Sequence, residues 1–318
     1  MVILADITRT DGVALKLCES INSPYPILLI SRQENLNFNE QVLSLKGQKY
    51  VIADFIEAGW NWDRKETLIV GKNIEHFKDC CQSGWEVLDS FVKENPPVLY
   101  FKRELLKKDA TDKILPIEYP NWQKEHFTQS REQFNARPIS VLNYWGRSHE
   151  ARLIVHGEIW KNAARKGYAV CDNIYYINHF MREDSNINKW VSLWIPHYAR
   201  IDISEILKIN EMSKLCISLP GAGVKCFRQT GEAVVNGIVV MPEDNLAYSY
   251  PFVNNVNCIK FPIESVNGVD KEWDFIDAIE QALNNQNLYE IYLESLKIAD
   301  FYRFDNYTKY LENIINTA

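Results

Sequence analysis

The stretch SLPGAGVKCFRQTGEAVVNGIVVMPED, residues 218–244, decides how this chain is read. A short apolar run enters Gly221-Ala222-Gly223, a helical pattern follows over 224–236, and a second apolar run occupies 238–241. Strand, glycine turn, helix and strand in that order make one parallel β-α-β unit. At ~100° per residue, Gly231 and Val234 lie on the side of Phe227, and Lys225, Arg228 and Glu232 share the opposite side. The helix thus opens with two cations where its own dipole repels them by roughly 0.3–1 kcal/mol each.

A solvated face with an Arg228–Glu232 pair would account for those charges. Arg before Glu is the weaker i,i+4 order, however, and gains at best roughly 0.2–0.5 kcal/mol. A bound anion reverses the sign of the problem. Backbone N–H groups at the helix start point at it, the dipole favours it, and Lys225 and Arg228 neutralise it. Gly221 and Gly223 let a phosphate approach the backbone without meeting a Cβ. One turn further on, Glu232 is placed to accept hydrogen bonds from vicinal hydroxyls such as those of a ribose. Phosphate beside ribose means a nucleotide.

Outward from this unit the same alternation repeats. Apolar strands are expected at 2–5, 26–30, 49–55, 67–71 and 97–101, with helices over 11–21 and 74–92 between them. Continuous apolar strands alternating with helices specify a parallel sheet covered on both faces. A polar, strand-poor stretch at 120–138 reads as a crossover. A second series then runs through strand 139–145, Gly146-Arg147, a helix over 148–165, strand 173–178, a helix over 203–212 and strands 216–219, 238–241 and 257–261. Three amphipathic stretches between 270 and 318 finish the chain. The expectation is an α/β protein of two Rossmann-like domains, 1–135 and 136–318, facing across a cleft, the second carrying a helical tail. In open parallel sheets ligands sit beyond the carboxyl ends of the strands, so the site belongs in that cleft.

Composition agrees. The 318 residues are 46% hydrophobic and 12% aromatic, enough for sizeable cores. A formal charge of −7 argues against a nucleic-acid partner, which needs a basic face. No apolar run approaches the roughly 18 residues of a membrane span, and Asp6 comes too early for a signal peptide. The seven cysteines, Cys80 and Cys81 among them, form no metal or disulfide pattern, and the chain reads as cytoplasmic.

The spacing Gly221-x-Gly223-x-x-Cys226, with Glu243 further on, imitates a dinucleotide fingerprint, but Cys226 replaces its third glycine. The whole segment around 215–262 instead resembles the nucleotide-sugar motif of GT-B glycosyltransferases, especially the exostosin-like group. Phe227-Arg228, Glu232-Ala233, Gly237 and the run 238–240 carry that resemblance, and Gly146-Arg147 resembles the loop such enzymes place near the diphosphate. It implies a glycosyltransferase whose Arg228 contacts the diphosphate and whose Glu232 contacts the ribose. It further implies a nucleoside-diphosphate sugar as donor substrate, a carbohydrate acceptor and no permanently bound cofactor. Val224 stands where retaining members often carry a second Glu, and there is no Asp-x-Asp, so inverting, metal-independent transfer is expected. An NAD(P)-dependent oxidoreductase and a non-catalytic nucleotide-sugar binder are the competing readings.

An inverting transfer needs a general base across the cleft. Asp6, Asp54 and Glu57 follow strands of the first half, and Trp60 and Trp62, beside the latter two, offer faces for a sugar. Asp54 and Glu57 are therefore the candidate bases. His76, His126, His149, His156, His179 and His197 show no metal spacing. The segment 181–200 could line the acceptor side or anchor a core, and FKRELLKK, residues 101–108, reads as a solvated charged face, with contact to an anionic acceptor as the alternative.

Overall fold

Runs such as Ile27-Leu28-Leu29-Ile30 present apolar side chains on both sides of a strand, so a sheet made of them must be covered twice. The structure, a computed structural model, describes residues 1–5, 11–31, 40–56, 84–122, 128–147, 170–176, 203–219, 225, 227–231, 236–261 and 275–318. Its first sheet holds β1 (Val2–Leu4), β2 (Ile27–Ile30), β3 (Val51–Asp54), β4 (Leu99–Lys102) and β5 (Ile114–Pro116), all parallel and in that order. Alternation along the strands then sorts the faces. Ile27, Leu29, Val51, Ala53, Leu99 and Phe101 pack with α1 (Gly12–Ser20), whose amino end is capped by Asp11 accepting from Val13 N–H and Ala14 N–H. Leu28, Ile30, Ile52 and Tyr100 face α2 (Glu40–Leu43) and α3 (Gly84–Glu94).

The crossover contains a short helix, α4 (Arg131–Asn135), started by a capping box between Ser130 and Gln133. The second sheet then comprises β6 (Ile139–Arg147), β7 (Val170–Tyr176), β8 (Ser213–Ile217), β9 (Ile238–Pro242) and β10 (Ile259–Phe261). All its pairings are parallel, and its order is β10-β9-β8-β6-β7. The chain therefore goes one way from β6 to β7 and the other way to β8. The gap between β6 and β8 is a topological switch point, where the loops leaving two neighbouring strands diverge and open a crevice.

Among the described residues five more helices follow in the second half: α5 (Ile203–Glu211), α6 (Phe227–Thr230), α7 (Phe275–Leu283), α8 (Leu288–Phe301) and α9 (Phe304–Thr317). One face of the second sheet, with Leu215, Ile217, Ile238, Val240 and Phe261, packs on Ile279, Ala282, Ile291 and Tyr292 of α7 and α8. The other face, with Leu142, Cys216, Val239 and Met241, belongs to the same buried cluster as α1 and the first sheet. The end of the chain stitches this cluster together. Tyr307, Leu311 and Ile315 of α9 lie in it, and Asn22 N–H donates to Glu312 Oε1 at 2.7 Å.

The differences from expectation are local. The helix expected over 224–236 is described only as Phe227–Thr230, with Asn236 again helical, and Lys225 sits in a bend before it. The three-residue β5, together with α2 and α4, is too short to give a periodic signal. The last helix, expected as part of the second domain's tail, packs into the core of the first sheet. The strand at 67–71, the helix over 148–165, Cys80, Cys81, all six histidines and the segment 181–200 lie outside the described residues.

Candidate active site

Parallel strands deliver the loops that follow them to one end, and here the segments leaving β4 and β9 meet. Leu106, after β4, forms an antiparallel bridge with Leu246, after β9. Lys107 N–H donates to Asn245 O and Ala247 N–H to Leu105 O, both at 2.8 Å. The carboxyl ends of β4 and β9 are thus zipped backbone to backbone across the two sheets.

Beneath this seam lies a buried ionic cluster. Lys102, Arg103 and Lys225 supply three cations and Asp54, Glu104 and Glu118 three carboxylates, none more than 3% exposed. Charges so far from water persist only when each has close partners. Lys102 Nζ donates to Asp54 Oδ2 at 2.7 Å, and Asp54 also accepts from Tyr100 Oη at 2.8 Å and from Ile56 N–H at 2.9 Å. Lys225 Nζ pairs with Glu118 Oε1 at 2.5 Å and lies 4.5 Å from the Tyr248 ring centroid. Its N–H donates to Glu104 Oε1 at 3.0 Å, and its carbonyl accepts from Arg103. Arg103 also stacks on Tyr119, 4.8 Å from the ring centroid.

Glu118 is the hub. Its Oε2 accepts from Ser249 Oγ at 2.6 Å and from Tyr307 Oη at 2.9 Å, and its N–H donates to Tyr307 Oη at 2.9 Å. Burial, with the Glu118 carboxylate beside it, holds the Tyr307 phenol well above its ordinary pKa, so it stays a donor. Burial and Asp244 do the same for Tyr248, which donates to Asp244 Oδ2 at 2.9 Å.

These contacts bear on two expectations. Lys225, expected to meet an anion at the helix start, precedes the described helix, and its ammonium pairs with Glu118. Residues 101–108 were read as a solvated face, but Lys102, Arg103 and Glu104 are buried in the seam. Asp54 stands at the end of β3 as expected. It is 1% exposed with three close donors, which suits a structural carboxylate better than a base open to an acceptor.

Of the remaining expected residues, Gly146, Arg147 and Arg228 are described and the others lie outside the described residues. Gly146 and Arg147 end β6, in register with Tyr175 and Tyr176 of β7. Next to β6 the chain leaves β8 through Ser218 and Leu219. Ser218 is fully buried; its N–H donates to Val240 O at 2.8 Å, and its hydroxyl has no hydrogen-bond partner among the described residues. Arg228 stands in the first turn of α6. Gly221, Gly223, Glu232 and Glu57 lie outside the described residues. Sequence reasoning missed Glu104, Glu118, Ser249 and Tyr307. Only their charge or hydroxyl marked them, because their partners are 58 to 189 residues away.

No protein-family model matches the chain, and no curated protein matches its sequence. Solved structures do match its fold. One is a GtfA/B complex, with TM-score 0.56, 13% identity and coverage of 96% of this chain and 60% of that one. Another is the pneumococcal O-GlcNAc transferase GtfA in complex with UDP and GlcNAc, with TM-score 0.55, 12% identity and coverage of 95% and 58%. A third is an alpha,alpha-trehalose-phosphate synthase (UDP-forming) from Burkholderia vietnamiensis, with TM-score 0.55, 11% identity and coverage of 99% and 82%. The chain spans about three fifths of the length of the first two. At these identities the likeness is one of fold. Two parallel α/β sheets meeting at their carboxyl ends, with a helical tail returning to the first, are the two-Rossmann-domain GT-B fold, and this chain has it.

Proposed function

We propose that this protein is a glycosyltransferase that moves a sugar from a nucleoside-diphosphate sugar to a hydroxyl of a carbohydrate acceptor, by inversion and without a metal. The observation that carries the reading is the switch point. The order β10-β9-β8-β6-β7 sets the exit of β6, with Gly146 and Arg147, beside the exit of β8, which leads to Gly221 and Gly223. These are the two glycine segments that the sequence assigns to a diphosphate, and the strands that precede them, β6 and β8, pair directly. The GtfA structure contains UDP and GlcNAc and shares the fold, which supports a uridine or related nucleotide here.

In the proposed reaction the acceptor oxygen bonds to the anomeric carbon as the bond from that carbon to the diphosphate oxygen breaks. The electron pair leaves with the diphosphate, and the acceptor proton passes to a carboxylate base. Arg228, assisted by Arg147 and by backbone N–H groups of the glycine segment, stabilises the charge growing on the departing oxygens. Glu232 holds the ribose hydroxyls. Glu57 is the proposed base, because Asp54 is engaged by Lys102 and Tyr100.

The test is turnover of a panel of nucleoside-diphosphate sugars by the wild type, Arg228→Ala, Glu232→Ala and Glu57→Gln. Removing Arg228 is expected to lower kcat by roughly 10²–10³-fold, as loss of a transition-state donor does elsewhere. Glu57→Gln should abolish transfer yet keep donor affinity. Unchanged turnover and unchanged nucleotide affinity in both Arg228→Ala and Glu232→Ala would refute the assignment.

A further inference from the structure

Lys225 is held through its amide, its carbonyl and its ammonium by the opposite half of the molecule. Its amide donates to Glu104, its carbonyl accepts from Arg103, and its ammonium pairs with Glu118. All three partners follow β4 or β5 of the first sheet. Leu219, six residues earlier, is fixed at the exit of β8. The five residues between them, 220–224, are those that the proposed function gives to the donor diphosphate. That segment therefore starts from a point set by one sheet and arrives at a point set by the other.

We infer that Glu118 is a positioning residue: by holding Lys225 it ties the arrival point of the glycine segment to the first sheet, so that donor affinity depends on a carboxylate that does not touch the donor. This inference rests on the proposed function above. Glu118 suits the task because its carboxylate is engaged by three separate parts of the chain. Oε1 takes the Lys225 ammonium and the Ser249 N–H, Oε2 takes the Ser249 and Tyr307 hydroxyls, and its own amide returns a hydrogen bond to the Tyr307 hydroxyl. The exits of β5 and β9, the approach to α6 and the last helix are joined at one buried group. Fully satisfied buried networks of this kind hold a single geometry, and loosening one member shifts the others. Arg103 and Glu104 serve the same anchor through its backbone, so side-chain exchange at Glu118 alone loosens the anchor without releasing it.

Two variants of the full chain test this, Glu118→Gln and the milder Tyr307→Phe, which keeps the ring in the core. Two quantities are read: hydrogen exchange at the amides of Lys225, Lys107 and Ala247, and calorimetric affinity for UDP and GDP. Glu118→Gln is expected to speed exchange at the Lys225 amide at least tenfold, with β2 and β3 amides unmoved, and to weaken the better nucleotide about tenfold. Tyr307→Phe should move both readings in the same direction by a smaller factor. Unchanged exchange at Lys225 in both variants overturns the inference. So does faster exchange with nucleotide affinity equal to wild type, which leaves Glu118 a purely structural residue. If the wild type binds neither UDP nor GDP while exchange at Lys225 still rises, the anchor stands and the proposed function falls.

Discussion

Lys225 shows how a single residue can carry the right chemistry to a different partner. From sequence it is a cation beside a glycine turn, and a phosphate is the natural anion to place there. In the folded chain the anion is Glu118, buried at 2% exposure and 107 positions away. The two assignments separate cleanly by experiment. Lys225→Met leaves the Glu118 carboxylate buried without its ammonium, and such broken pairs cost about 3–5 kcal/mol of stability. Urea unfolding should show a loss of that size, whereas Arg228→Ala should change the unfolding midpoint little. A stable Lys225→Met protein that fails only in nucleotide binding would return Lys225 to the phosphate.

The buried thiols make a second residue-scale prediction. Burial lifts Cys18, Cys216 and Cys258 from 9.0 to about 12. Below pH 9 these groups are protonated in both folded and unfolded chains and do not affect the balance. Above it the unfolded chain releases protons that the folded one retains, so stability falls as pH rises toward about 12, by about 1.4 kcal/mol per pH unit per thiol. Melting temperatures measured from pH 8 to pH 11 should drop steeply above 9, and a variant with all three cysteines replaced by alanine should show a shallower slope.

At the scale of elements, the long apolar strands were legible and the short pieces were not. Strands such as 26–30 and 97–101 announce themselves because they are buried on both faces, and β2 and β4 fall within one or two residues of those spans. β5 spans only Ile114–Pro116, and its side chains are half-buried, so nothing in its composition stands out. Helix α9 was legible as an amphipathic helix, but its docking was not. A stripe containing Tyr307, Leu311 and Ile315 shows that a face is buried and not against which sheet. Because that face completes the first-sheet core, Leu311→Ala should destabilise by about 2–5 kcal/mol. A chain ending before residue 304 should lose its cooperative unfolding transition, which circular dichroism on heating would detect.

Among the described residues a single buried cluster contains side chains of both sheets, α1 and α9, so the chain is expected to unfold as one cooperative body. Differential scanning calorimetry should accordingly show one transition, and a fragment limited to residues 1–135 should remain unfolded for lack of α9. Two transitions with the melting of the fragment matching one of them would contradict this. The fold class was readable at this scale from alternation of apolar strands and helices alone, since that pattern admits few topologies. The site was readable only in part. Glycine and arginine at 146–147 and 221–228 could be singled out from local chemistry, whereas the Glu118 network depends on contacts that only the folded chain brings together. No described helix is long and apolar enough to cross a membrane.

The central claim is that a nucleoside diphosphate binds at the switch point between β6 and β8. Calorimetric titration of UDP, GDP, CMP and NAD into the purified wild type and into Arg228→Ala tests it most directly. The account predicts saturable binding of UDP or GDP, weakened at least tenfold by loss of Arg228, with CMP and NAD weak or silent. Saturable binding of NAD with none of UDP or GDP, or an affinity for UDP and GDP indifferent to Arg228, would contradict it.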